Sequence, residues 1–544
     1  MRRRIAFILT ILSITLWAFS LTQARLTIGF YGLIHSYHTT YFLALGLLSI
    51  AAFTLWVSPE GHGGLLGLQL CLFIIMLWLT PILIGANPVS SNWTYAIYYP
   101  NTAYITQSGH FNTGLAFNNY STWAMQNWPG SFLLETALMK VTGANTADFM
   151  ALFSPLLMQF VMLPPLYLFF KNTISHHNYR WAACWLFFLA NWTAQLYFCP
   201  QGVSLFLLVT LLALLSSTAF WQCCITSIGY SLSAILVMAG LTTTHFLTSI
   251  VALLSLVALW LCRQVKRVNL IMLGAVLVAF WTVYVASTQL EISLPSFIER
   301  AFRLDLVFQL SALKTATGES QSLLSVSYAR YIFTALFGIT GFIGFVLSRK
   351  YKDRADMTIL ILLVPAFFVL FSMLYGSEFW LRAFLFALIP TAYFTVKLLR
   401  TKAGTVSLCV LSLAALPLNT VAHYGFAATD YEPLTERAYW HFAAEYSQPG
   451  DVFGGTRIYY PDYTYSKYYL DTAAWENGVL VSIPPSTKSL QYVHVGEVDT
   501  ANYEFTRNDS STVVDTRDRL EDSPVYSLIY ANPDASLYIH QSQS

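Results

Sequence analysis

Charge is what this chain has least of. Across 544 residues, Lys and Arg number 29 and Asp and Glu 27, so 10% of the chain is charged while 56% is hydrophobic. A soluble globular protein carries about 25% charged residues, and a surface this poor in charge would not keep a chain of such length in solution. Most of it therefore lies in lipid. The scarcity excludes a cytosolic enzyme, a secreted disulfide scaffold and a disordered hub. A net charge of +2 with no concentrated basic surface excludes a nucleic-acid binder.

Cysteine is scarce as well, and the C-terminal part has none. All seven (Cys71, Cys184, Cys199, Cys223, Cys224, Cys262, Cys409) precede residue 425, so no disulfide framework holds residues 425–544. They read as small apolar packing residues. The adjacent Cys223 and Cys224 lack the second pair or His cluster that a metal or redox site needs. Such charge as exists is divided unevenly: residues 1–424 hold 10 acidic and 22 basic residues, residues 425–544 hold 17 and 7. This divides the chain into a transmembrane domain, 1–424, and a soluble domain, 425–544.

Long apolar runs are what the chain has in quantity. A helix needs about 20 apolar residues, with about 17 as the lower limit, to cross the hydrocarbon. That length gives thirteen candidate spans, at 5–21, 41–57, 65–84, 148–170, 181–198, 202–220, 228–242, 246–262, 270–288, 331–347, 357–374, 383–398 and 406–421. The close pair around Thr242-Thr243-Thr244-His245 also reads as one bent helix or a re-entrant segment. Arg2, Arg3 and Arg4 resemble the start of a cleaved signal peptide, but the run 5–21 exceeds the roughly 7 to 15 residues of a signal core and reads as a retained first helix.

Cationic loops stay in the cytoplasm. Thirteen alternating crossings put every large Arg/Lys cluster on that side, with 15 basic residues inside and 7 outside. The N-terminus is then cytoplasmic and the acidic C-terminal domain extracytoplasmic, in a multi-pass protein of the cell membrane. Two long loops face outward, 86–147 and 291–327. The first alternates aromatic and amide residues, and its stretch 131–141 has apolar residues at helical spacing, which predicts one or two helices lying along the membrane surface. Loops this long over a membrane domain usually close a site. In the C-terminal domain 433–447 has a helical pattern, 479–483 and 491–495 are β-like, and 527–539 reads as a hairpin around Asn532-Pro533-Asp534, which makes the domain α/β.

Acidic residues in the membrane part are few enough to weigh singly. Glu378 precedes Arg382 by four residues in the short outer connection Tyr375-Gly376-Ser377-Glu378-Phe379-Trp380-Leu381-Arg382, and on a helix the two touch. One reading is an interfacial ion pair that orients two helix ends. The other has Arg382 bind a phosphate through its planar fork while Glu378 receives a proton or orients a hydroxyl. Gln201 flanks the outer turn that begins at Tyr197, His245 ends a helix, and His110 follows Gln107-Ser108-Gly109 in the first long loop. A lone His near a helix end more often caps or sits at the interface. Glu135 faces outward or lies near the outer surface.

These segments together resemble the GT-C superfamily of integral-membrane glycosyltransferases, which use lipid-phosphate-linked sugars. Similar features are the count of about thirteen spans followed by an extracytoplasmic domain, the long first-half loop with surface helices, and the strings beginning at Tyr104, Asn191, Thr244 and Tyr375. The resemblance implies an α-helical polytopic membrane fold with a C-terminal extracytoplasmic α/β domain. It implies transfer of a hexosyl or pentosyl group, with inversion, from a polyprenyl-phosphate donor to a glycan, lipid or protein acceptor at the outer face. Glu378 would then be catalytic. Arg382, Arg330, His110, Asn101, Gln201 and His245 would bind substrate, Arg382 with Arg330 or a His neutralising the departing phosphate. No metal ligand is assigned, and a divalent metal is left open beside the polyprenyl-phosphate-linked sugar. Partners are membrane lipid, the lipid-linked sugar and the acceptor, with no nucleic acid; the oligomeric state is not legible.

One departure matters. Members of the superfamily typically carry an Asp or Glu early in an outer loop as the base, yet neither 25–40 nor 86–130 contains a carboxylate. Asn101 stands about where the acid is expected, and an amide does not accept the proton. Either Glu378 or an acid from 291–319 has taken the role, or the chain no longer catalyses transfer. The competing readings are a catalytically inactive scaffold in cell-envelope glycan assembly, its Tyr-rich segment 459–469 docking a partner or a sugar, and a lipid or glycan transporter. Against the transporter, most charges lie at predicted helix ends rather than at mid-membrane.

Overall fold

A computed structural model describes residues 1–544 apart from 28–29, 87, 89–93, 95–97, 115–124, 145–148, 194, 218–224, 263–267, 301–319, 351–352, 373–378, 427–437, 440–441, 444, 449–450, 456–465, 470–472, 477–478, 483–489, 508–510, 534 and 542–544. A helix stands at each of the thirteen expected spans. In chain order the helices are α1 (Arg2–Gln23), α2 (Thr39–Trp56), α3 (Gly63–Leu83), α4 (Tyr99–Ser108), α5 (Gly130–Thr142), α6 (Ser154–Thr173), α7 (His177–Ala190), α8 (Pro200–Ser216), α9 (Ile225–Thr244), α10 (Phe246–Leu261), α11 (Val268–Phe280), α12 (Ser287–Arg300), α13 (Gln321–Ser348), α14 (Arg354–Ile361), α15 (Leu363–Ser372), α16 (Phe379–Val396) and α17 (Lys402–Tyr424). Among the described residues, seven helical stretches are long and apolar enough to cross a membrane by length and composition alone, and four shorter apolar helices accompany them.

Two details differ from the sequence reading, and the choice left open around His245 falls to the two separate spans. The span placed at 181–198 ends as a helix at Ala190, because the polar run from Asn191 turns the chain through buried, non-helical backbone before Pro200 opens α8. The segment around His245 is two helices, since the His245 ring accepts the Thr248 backbone N–H and caps α10. The second long outer loop is partly helical: α12 runs to Arg300 and α13 starts at Gln321. α13 and α16 approach closely, for a Cβ at Gly344 would collide with the Phe394 carbonyl and one at Gly341 would lie 3.1 Å from the Thr391 side chain.

The bundle has two chemically distinct ends. At one, Arg2 donates to the Val57 carbonyl, the Asn178 amide donates to the carbonyls of Leu55, Ser58 and Glu60, and the Tyr179 hydroxyl donates to the Leu399 carbonyl. Lys397, 3% exposed, pairs with Asp353 and Asp356 at this end, and Arg400 Nη2 lies 2.6 Å from Asp353. At the other, the Tyr424 hydroxyl donates to the Leu77 carbonyl, His423 meets the Trp192 carbonyl, and Gly130 abuts Thr243 and Thr244.

The C-terminal part adds a five-stranded sheet. Its strands are β1 (Val452–Gly455), β2 (Ser466–Tyr469), β5 (Tyr492–Gly496), β6 (Tyr526–Ala531) and β7 (Ala535–His540) in the order β2-β1-β5-β7-β6, while β3 (Ala473–Glu476) and β4 (Val479–Ser482) form a separate antiparallel pair. β1 is parallel to β2 and β5, and β7 is antiparallel to β5 and β6. The predicted hairpin is β6–β7, closed by the Asn532 side chain accepting the Ala535 N–H at 2.8 Å. Helices α18 (Glu497–Arg507) and α19 (Ser511–Glu521) complete it. α18 docks on the start of α13: Ser320 donates to the Phe505 carbonyl, and Phe505 packs with Val326 and Phe426.

Candidate functional site

The helices of the first long loop are built for a surface. Pro100 opens α4, and Gly109 (φ 76°) and Gly143 (φ 70°) stop α4 and α5 in the left-handed conformation that glycine tolerates. α5 is amphipathic in an inverted sense. Leu133, Leu134 and Val141 are exposed, whereas Ser131, Glu135 and Thr136 face inward with Phe132 and Met139. An apolar outer face and a polar inner one suit a helix between lipid and a protein site.

Glu135 is 1% exposed, and its Oε2 accepts the Thr102 hydroxyl of α4 at 2.7 Å. Its Oε1 meets no hydrogen-bond partner among the described residues. Burial pushes this carboxyl well above the usual carboxylate range, with the Thr102 hydrogen bond opposing. The hydroxyl of Ser131, one turn earlier on the same face, is likewise buried without a partner among the described residues. Thr106 and Thr136 add a second cross-helix contact at 3.2 Å.

Three residues singled out in the sequence converge beside this helix pair. Gln201 lies in the first turn of α8, 2% exposed, and neither end of its amide has a partner among the described residues. Ser204 donates to the Gln201 carbonyl at 2.9 Å and lies 2.9 Å from the Thr248 hydroxyl, which lies 2.8 Å from His245 Nδ1. The buried guanidinium of Arg382, in the first turn of α16, acts electrostatically on both the His245 ring and the Cys199 thiol. The turn before α8 is tight: a Cβ on Gly202 would collide with the Tyr197 carbonyl. Tyr98 joins it to α5, its ring centroid 6.1 Å from Tyr197 and 6.4 Å from Phe132.

A small apolar cavity of about 20 Å³ lies deeper along the same helices. Leu205, Leu208 and Leu212 of α8, Val251 of α10, and Leu385 and Ile389 of α16 line it. Leu205 is one turn beyond Gln201 and Leu385 about one turn beyond Arg382, so the polar cluster stands at the head of the cavity.

The remaining expected residues are placed differently. Asn101 is buried on α4 next to Thr102, against the turn that Glu135 reaches. His110 is exposed just past the end of α4, its ring 6.0 Å from Tyr104. Arg330 donates to the Ala422 carbonyl at 2.7 Å, with its guanidinium 3.9 Å from the Phe426 ring and 5.1 Å from that of Trp192. That arrangement ties α13 to the start of the C-terminal part. Glu378 lies outside the described residues, as do Cys223, Cys224 and the Tyr-rich segment up to residue 465. Among the described residues no group of His, Cys, Asp and Glu could hold a metal ion. The sequence reading passed over Glu135; the available signal was one acid at the Ser131–Met139 spacing, in a helix whose other long side chains are mostly apolar.

No family model matches the chain, and no curated protein matches its sequence. Solved structures similar to it include the crystal structure of ArnT from Cupriavidus metallidurans bound to undecaprenyl phosphate, at 11% identity over 87% of this chain and 97% of that one, with a TM-score of 0.49. Two crystal structures of the Archaeoglobus fulgidus oligosaccharyltransferase are also similar. The apo form is 11% identical over 82% of this chain and 72% of that one, TM-score 0.45. The form tethered through a disulfide to an acceptor peptide containing the NVT sequon is 13% identical over 87% and 73%, TM-score 0.46. These likenesses assign neither a substrate nor a residue's role.

Proposed function

We propose that the chain is a membrane glycosyltransferase that moves a sugar from a polyprenyl-phosphate donor to a glycan, lipid or protein acceptor. The observation that carries this reading is the buried pair Arg382 and Gln201, with the half-buried His245 joined to Gln201 through Thr248 and Ser204. A lipid phosphate presents the matching chemistry, a charged head for the guanidinium. The unmatched amide of Gln201 and hydroxyl of Ser131 are donors and acceptors suited to sugar hydroxyls. As the bond from the sugar to the phosphate breaks, Arg382, with His245 beside it, stabilises the charge that develops on the leaving oxygen. We assign Asn101 and His110 to the acceptor side and Arg330 to holding the domain junction. Residues 1–424 form the membrane unit and 425–544 the soluble one. The end carrying the site and the C-terminal part faces outward, since the Arg2, Lys397 and Arg400 end carries the cationic loops.

The neighbour bound to undecaprenyl phosphate supplies the probe. Purified full-length protein should bind undecaprenyl phosphate, and Arg382→Ala should weaken that binding by about 10- to 100-fold; equal affinity in the variant would remove Arg382 from the phosphate site. The second reading, a non-catalytic scaffold, draws support from the amide at Asn101. Protein that turns over no lipid-linked sugar yet co-purifies with a glycosyltransferase would favour it.

A further inference from the structure

We propose that Glu135, rather than Glu378, takes the proton from the acceptor hydroxyl; this assignment rests on the transfer reading above. Glu135 is buried with one carboxyl oxygen held by Thr102 and the other unmatched among the described residues. A purely structural acid would use both oxygens, because an unmatched buried acceptor is a net loss to the fold. An O–H from the acceptor completes the set at Oε1.

Placement agrees. Gly130 abuts Thr243 and Thr244, just before His245. Glu135 stands five residues further along α5, about 7.5 Å along the axis. The inner face of α5 between these points carries Ser131, whose hydroxyl is unmatched among the described residues.

The electrostatics separate the two acids. Only burial and the Thr102 hydrogen bond act appreciably on Glu135, with no cation among the causes, so its proton affinity is high and suits a base for a weakly acidic hydroxyl. Glu378 precedes Arg382 by four residues, a spacing that on a helix suits an ion pair with the guanidinium.

The step balances. The reaction proceeds from the fraction of Glu135 that is ionised: the acceptor O–H bond breaks and its proton passes to that carboxylate. The acceptor oxygen bonds to the anomeric carbon while the bond from that carbon to the phosphate oxygen breaks. The electron pair leaves on the phosphate beside Arg382, and polyprenyl phosphate departs.

The test uses full-length protein in lipid nanodiscs with a panel of undecaprenyl-phosphate-linked pentoses and hexoses, reading release of undecaprenyl phosphate. Glu135→Gln should lower the rate by about 10²- to 10⁴-fold while undecaprenyl phosphate binds as tightly as to the wild type, and Glu378→Gln should lose less of its rate than Glu135→Gln. Glu135→Ala should regain part of its rate with added formate, which a merely structural carboxylate would not give. Full activity in Glu135→Gln, or loss only in Glu378→Gln, overturns the assignment while leaving the transfer reading intact. A wild type that binds no undecaprenyl phosphate and releases none overturns both.

Discussion

At the scale of single residues, the cost of burying Glu135 is itself measurable. Its folded-state proton affinity is raised by burial, whereas the unfolded value lies near about 4.3. Between those two values the folded chain keeps a proton that the unfolded chain releases, so the stability of the wild type falls as pH rises. Glu135→Gln has no such proton. Thermal unfolding in detergent should therefore find the variant's advantage widening from about pH 4 upward, and a gap independent of pH would show that the acid is not held protonated. Arg382, Gln201 and His245 stand out in the sequence because polar residues are rare there and alternating crossings assign them one end. Glu135 was not, since its partner Thr102 lies 33 residues away and only the packing of two surface helices joins them.

At the scale of elements, the helices are joined at the opposite end by ionic contacts. Asp353, just before α14, receives Lys397 and Arg400 from the end of α16. Burial raises the Asp353 carboxyl, but hydrogen bonds and charge from Lys397 and Arg400 outweigh it and hold the group below its ordinary value. A depressed carboxylate contributes stability above its unfolded value, and that contribution is lost as pH falls through the folded one. Asp353→Asn should accordingly cost about 1–3 kcal/mol at neutral pH and nearly nothing well below about pH 3. Melting curves at both pH values check this, and an equal deficit at both would contradict it. The existence of α14 and α16 was plain from their apolar runs, whereas this pairing was not, because charged loops carry no local signal of which partner they meet.

At the scale of the whole molecule, the C-terminal part is fastened to the site end at few points. Phe505 of α18, 3% exposed, packs with Val326 and Phe426, and Arg330 lies over Phe426. Phe505→Ala should loosen this docking by about 3–5 kcal/mol without altering the helical bundle. Limited proteolysis should then cut between residues 425 and 544 faster than in the wild type, with far-ultraviolet circular dichroism almost unchanged. Unchanged cleavage would mean that the contact does not hold the two parts together.

The sequence by itself determined where helices form, that most of them are apolar enough for lipid, and that a sheet-bearing part comes after them. Apolar runs, turn residues and alternation act over a few neighbouring positions. Only the tertiary structure decided that Glu135 meets Thr102, that Arg382, His245 and Gln201 come to one end of the bundle, and that β1 pairs in parallel with both β2 and β5. Those contacts join residues tens to hundreds of positions apart, and they depend on how whole helices and strands pack.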